Sequence, residues 1–170
     1  FLDKAAKMNW LVTEPLPTTE RAFREKVWSE VVRRVDEDME SGLPNLRGKV
    51  LVEVALRRAK ALEPFVAAAD LDSRALARLV RDSLLQTPST GSDLYAPAHD
   101  VFEDWALMRW LEEAFVRHGR QLDLLLGELG TYPALRRAYR RWLTESLDVH
   151  PQATDSVVVA LIQNPNVAAH

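Results

Sequence analysis

Along most of this chain the apolar residues fall three and four apart, and prolines or glycines interrupt the pattern at short intervals. The stretch after Thr18-Thr19 is the clearest case. Phe23, Val27, Trp28, Val31, Val32, Val35 and Met39 form one stripe, with Glu20, Arg24, Glu30, Arg33, Arg34 and Glu37 on the polar side. Residues so spaced share one face of an α-helix, and a helix with one apolar face needs others to pack against. Thr18 or Thr19 is the expected N-cap, with Glu20 well placed against the positive end of the helix dipole.

The breaks define the remaining elements. Residues 1–11 are helix-compatible and lead into a connector containing Pro15 and Pro17. Ser41-Gly42-Leu43-Pro44 ends the long stripe, and a second helix is expected from about Asn45. Its apolar positions are Leu46, Val50, Leu51, Val54, Leu56, Ala59 and Leu62, and Pro64 marks its end or a kink. Asp70 or Asp72 caps a third helix carrying Leu76, Leu79, Val80, Leu84 and Leu85. Residues 86–93 are a turn-rich loop flanked by two short pieces, 84–87 and 94–96, that can pair as a small β-hairpin. Pro97 then leads into a strong helix over 99–117, with Val101, Phe102, Trp105, Ala106, Met108, Trp110, Leu111 and Phe115 apolar. Helical stretches over 121–129, 134–147 and 154–163 close the chain, in the manner of a helical-repeat array.

Composition narrows the functional classes. Hydrophobic residues make up 47% and charged residues 28%, a globular balance. The net charge of −3 gives no overall attraction to DNA or to an anionic membrane. With no cysteine there are no disulfides or thiolate metal sites, which fits a reducing interior. No apolar run approaches the ~20 residues of a membrane span. The chain opens on Phe1 without a leader and breaks off after an apolar stretch, so it reads as a cytoplasmic segment of a longer polypeptide.

Most chemical motifs fail on spacing. A P-loop needs four residues between its glycines, followed by Lys and Ser or Thr, so that backbone N–H groups wrap phosphate. Gly42 and Gly48 have five between them, and Lys49 is followed by Val50. No Ser lies in a Gly-x-Ser-x-Gly turn. His99-Asp100 lacks the upstream histidine of a dinuclear phosphohydrolase, because His99 is the first of four histidines. His99 and Glu103, one helical turn apart, supply only two ligands, so no metal and no catalytic residues are assigned. Asp100, Glu103 and Asp104 also suit the first turn of a helix. Arg136, Arg137, Arg140 and Arg141 read as a solvated or protein-binding helix face, and the five tryptophans as core.

The element order and Pro97-Ala98-His99-Asp100-Val101-Phe102-Glu103-Asp104-Trp105-Ala106-Leu107 together resemble the region behind the nucleotide-binding domain in STAND-class signalling ATPases, the group that includes NACHT and NB-ARC proteins. There a Met-His-Asp motif opens a winged-helix helix; here Ala98 stands in place of the Met. The resemblance implies a mainly α fold: a helical domain over 1–66, a winged-helix-like domain with one hairpin over 67–118, and the start of a C-terminal helical region over 119–170. It implies His99 as a sensor of the nucleotide phosphate, with Asp100 orienting or capping. It also implies ADP or ATP bound by the full-length protein, none by this segment alone, and a regulatory rather than enzymatic role for the segment. The expected partners are the nucleotide-binding domain of the same polypeptide and other proteins, with neither nucleic acid nor membrane. Two rivals remain: a winged-helix nucleic-acid module using Arg74, Arg78 and Arg81, opposed by Asp70, Asp72 and Asp82, and a helical scaffold that binds only protein.

Overall fold

A computed structural model of the chain describes residues 17–35, 42–89, 91–149 and 159. The expected helix over 1–11, the end of the long stripe at Met39 and, apart from position 159, the closing helix over 154–163 lie outside these residues.

Thr19 caps the first helix, α1 (Glu20–Val27), its Oγ1 accepting from the Ala22 N–H at 3.1 Å. α1 does not stop at Val27 but widens into a π-helical stretch, Trp28–Arg33, closed by Arg34 in the left-handed region at φ 56°. A π turn takes in one more residue than an α turn. Val27, Trp28, Val31 and Val32 are all buried across this junction.

Helix α2 (Leu43–Ala61) begins two residues before the expected start. Pro44 lies in its first turn, where a missing N–H costs nothing, so the Leu43-Pro44 pair opens the helix. α2 ends at Leu62, whose N–H donates to the Arg58 carbonyl at 3.0 Å. Leu62 had been expected on the apolar face, yet it sits left-handed beyond the helix and is 68% exposed. After β1 (Val66–Ala67), Asp72 rather than Asp70 caps α3 (Ser73–Arg81), with Oδ1 accepting from the Ala75 N–H at 2.9 Å. Leu84 and Leu85, assigned by periodicity to this helix, lie beyond it. Ser83 turns left-handed at φ 55°, and both leucines then enter the core from the following strand region.

The expected hairpin is present as β2 (Leu85–Gln86) and β3 (Leu94–Pro97), in antiparallel register with Leu85 opposite Pro97 and Gln86 opposite Ala96. β3 also pairs with β1, Val66 opposite Tyr95 and Ala67 opposite Leu94. The sheet order is therefore β1–β3–β2, with α3 between β1 and β2 in sequence. This is the mainly α arrangement with a small hairpin that the sequence implies, the hairpin being extended by β1 into a three-stranded sheet.

Helices α4 (Asp100–Arg117), α5 (Leu122–Leu129) and α6 (Pro133–Val149) complete the described fold. Gly130, between α5 and α6, has φ 61° and ψ −152°, a conformation essentially reserved for glycine. α4 packs against both α2 and α6, and one buried cluster runs from Val27 through Leu107 and Leu111 to Trp142. Fully burying a leucine of this kind contributes roughly 1.5–3 kcal/mol. Trp28, Trp105, Trp110 and Trp142 are all buried. Among the described residues no helix is long and apolar enough to cross a membrane.

Tyr139 of α6 is buried, and its hydroxyl has no hydrogen-bond partner among the described residues. Burial pushes its pKa up from 10.0 to about 12, so the folded state favours the neutral phenol. Its contribution is full below pH 10.0 and falls as pH rises through about 12, where the unfolded chain ionises first. Tyr139→Phe is expected to remove that alkaline loss and to stabilise the fold by about 1 kcal/mol at neutral pH. Urea titrations at neutral and alkaline pH check both; a variant weaker than the parent at neutral pH would mean the hydroxyl is bonded.

Candidate functional site

The sheet delivers the chain to the start of α4. The Ala98 N–H donates to the Leu84 carbonyl at 3.0 Å, which fixes the segment after β3 against the residue that leads into β2. His99 follows with extended backbone, φ −145° and ψ 144°, and occupies the N-cap position of α4. Its carbonyl accepts from the Phe102 N–H at 3.0 Å and the Glu103 N–H at 3.3 Å. Its side chain makes no cap bond. The imidazole is exposed and lies beside Phe102, ring centroids 6.0 Å apart. Asp100 is the first helical residue, exposed, with its carboxylate at the positive end of the helix.

One turn further on, the environment changes. Glu103 and Asp104 are 3% and 7% exposed. A carboxylate taken out of water at such a position needs partners that both neutralise it and donate hydrogen bonds. Arg58 of α2 donates to Glu103 Oε1 at 2.6 Å. Arg137 of α6 donates from Nε to Asp104 Oδ1 at 2.9 Å, and its Nη2 stands 3.6 Å from Glu103. Arg141 donates to Asp104 Oδ2 at 3.1 Å and to Glu20 of α1 at 2.6 Å. The Asp104 hydrogen bond holds the Arg137 guanidinium above its ordinary pKa, and the nearby charges of Asp104, Glu103 and Asp100 add to this. A second tie joins the same helices, Arg24 of α1 donating to Glu145 of α6 at 2.5 Å.

The structure thus separates residues that the sequence groups together. His99 and Asp100 face outward, while Glu103 is turned onto Arg58, so the helical-turn pair His99–Glu103 is not assembled. No group of three or more potential metal ligands gathers among the described residues. Gly48 is an interior residue of α2, packed near Trp28 and Arg33, and no glycine loop forms around Lys49. The arginine cluster divides: Arg137 and Arg141 reach Asp104, Arg136 donates to the Gly130 carbonyl at 3.2 Å, and Arg140 is exposed. The buried acid pair was missed in the sequence. Its available signal was the run of four arginines on α6, cations that needed counter-charges.

Breaking this cluster tests its weight. Glu103 is nearly enclosed while Arg58 is 29% exposed, so removing the arginine strands the acid more than the reverse. Arg58→Met is expected to lower stability by about 3 kcal/mol. Adding Glu103→Leu should recover most of the loss, because no charge is then left buried. Equal stability of the single and double variants in urea melts would show that Glu103 reaches water.

Compared with models of known families and with curated proteins, the chain matches none.

Proposed function

We propose that this chain is the regulatory segment of a larger, nucleotide-driven signalling switch of the STAND class, acting in the cytoplasm, with His99 as its phosphate sensor. One observation carries the reading. An imidazole with no hydrogen-bond partner among the described residues stands exposed at the N-cap of an 18-residue helix, two residues after the central strand of the three-stranded sheet. The helix start is electropositive and its ring nitrogens offer a donor, which is the chemistry that suits an anion. Asp100 would then shape the electrostatics of the helix start, held in balance by the Arg137 charge beside it.

The nucleotide itself would be held by another domain of the full-length polypeptide. The buried acid–arginine cluster supports a regulatory role, because it ties the helix bearing His99 to α2, α1 and α6. A displacement at His99 would therefore be felt at several helices at once, as packed elements that move as bodies require. A purely protein-binding scaffold would use the same helices without the imidazole.

In the full-length protein, His99→Ala is expected to raise the ADP dissociation rate about tenfold, the effect of one charge-assisted hydrogen bond, with the melting temperature unchanged. Release of a fluorescent ADP analogue measures it, and an unchanged rate in a stably folded variant would remove the sensor role. The isolated chain should show neither ATP hydrolysis nor tight ATP binding in calorimetry. Turnover that is lost in a His99 variant would contradict that.

A further inference from the structure

Helix α3 presents two unlike faces. Ala75, Leu76 and Leu79 are buried, whereas Ser73, Arg74, Ala77, Arg78 and Arg81 point outward. The three arginines are spaced four and three apart, one stripe of about 10 Å along the helix axis. On the exposed face only Ser73 and Ala77 accompany the three arginines.

The acids around this helix are shared among several cations: Asp72 and Asp82 stand within 3.7 Å of Arg74 and Arg81 as well as bonding elsewhere, and Asp93 of the hairpin loop is exposed. Arg57 donates to both Asp70 oxygens, at 2.6 and 2.7 Å, and this hydrogen bonding holds the carboxyl at about 2. Asp72 caps the helix. Asp82 is 11% exposed and lies among three guanidinium groups: Arg47 at 2.8 Å, Arg34 at 3.6 Å and Arg81 at 3.7 Å. Arg74 stands 3.6 Å from Asp72, and Arg78 has no acidic partner among the described residues. Asp72 and Asp82 thus offset part of the charge of Arg74 and Arg81, but Asp82 is shared by three guanidinium groups and Arg78 has no acid beside it among the described residues, so cations outnumber acids on this face despite the net charge of −3.

Position selects the kind of anion. α3 packs on α2, with β1 between them in sequence, and immediately precedes the hairpin, a place comparable to that of the groove-entering second helix of helix-turn-helix folds though without their short turn. The stripe fits a major groove about 12 Å wide. Thr87 and Ser89 at the hairpin add accessible hydroxyls, which commonly contact phosphate oxygens. An acidic protein face would satisfy the arginines but would give no role to the hairpin beside them. We propose that the outer face of α3, with the hairpin β2–β3, is a weak binding surface for the backbone of duplex DNA. It shares no residue with the His99 site and stands or falls independently of the nucleotide reading.

The test uses this chain and a fluorescent 20-base-pair duplex at low salt, with polarisation as the readout. Arg74, Arg78 and Arg81 all changed to Ala should lower affinity at least tenfold. The slope of log affinity against log salt should fall by roughly 2.7, the value for three lost phosphate contacts. A control with Arg21, Lys49 and Arg140 changed to Ala removes the same charge from exposed positions elsewhere and should leave most binding intact. Absence of binding, equal loss in the control, or equally tight binding of a poly-glutamate peptide would each overturn the proposal. The last result would mark a surface for acidic protein instead.

Discussion

Helix α4 is enclosed on most of its circumference, and the rest of the fold is arranged to make that enclosure tolerable. Trp105, Ala106, Leu107, Met108, Leu111 and Ala114 are all buried on it, and so are two consecutive carboxylates. Apolar neighbours alone satisfy the first group. The carboxylates require arginines, and these arrive from opposite sides, Arg58 from α2 and Arg137 with Arg141 from α6. Ion pairs of this kind add little net stability over an apolar equivalent, but they penalise any arrangement that leaves one member behind. The acid pair therefore specifies how α2 and α6 sit on α4 more than it strengthens the contact.

That specificity reaches the outward-facing chemistry. His99 and the buried Glu103 are one turn apart on the same rigid element, and the His99 carbonyl accepts the Glu103 N–H. The exposed imidazole inherits its position from carboxylates that are almost wholly enclosed. Beyond the end of α3, Asp82 plays a comparable part, fastening Arg47 of α2 while Arg47 also donates to the Val32 and Val31 carbonyls of the π stretch.

What was legible in the sequence was local. A cap at Thr18 or Thr19, a cap at Asp70 or Asp72, the hairpin around residues 86–93 and the helix after Pro97 each depend on a few adjacent residues, and each is present, with Thr19 and Asp72 as the caps. What was not legible depends on distant partners. β1 is two residues long and exists because β3 offers it an edge. Glu103 and Asp104 look the same in sequence whether they face water or arginine, since a helix start favours acids in both cases. Leu84 and Leu85 kept the helical spacing yet followed Ser83 out of the helix, because a left-handed residue reverses the chain without altering the pattern of apolar positions.

The sheet has a consequence for how this chain meets others. Its two outer strands, β1 and β2, each contribute only two residues, and the longer β3 is covered on both sides. An incoming polypeptide would find too little free backbone to extend the sheet, so strand addition and edge-to-edge aggregation have no template here. Among the described residues, recognition then rests on side chains of the helices and the hairpin loop rather than on main-chain strand addition.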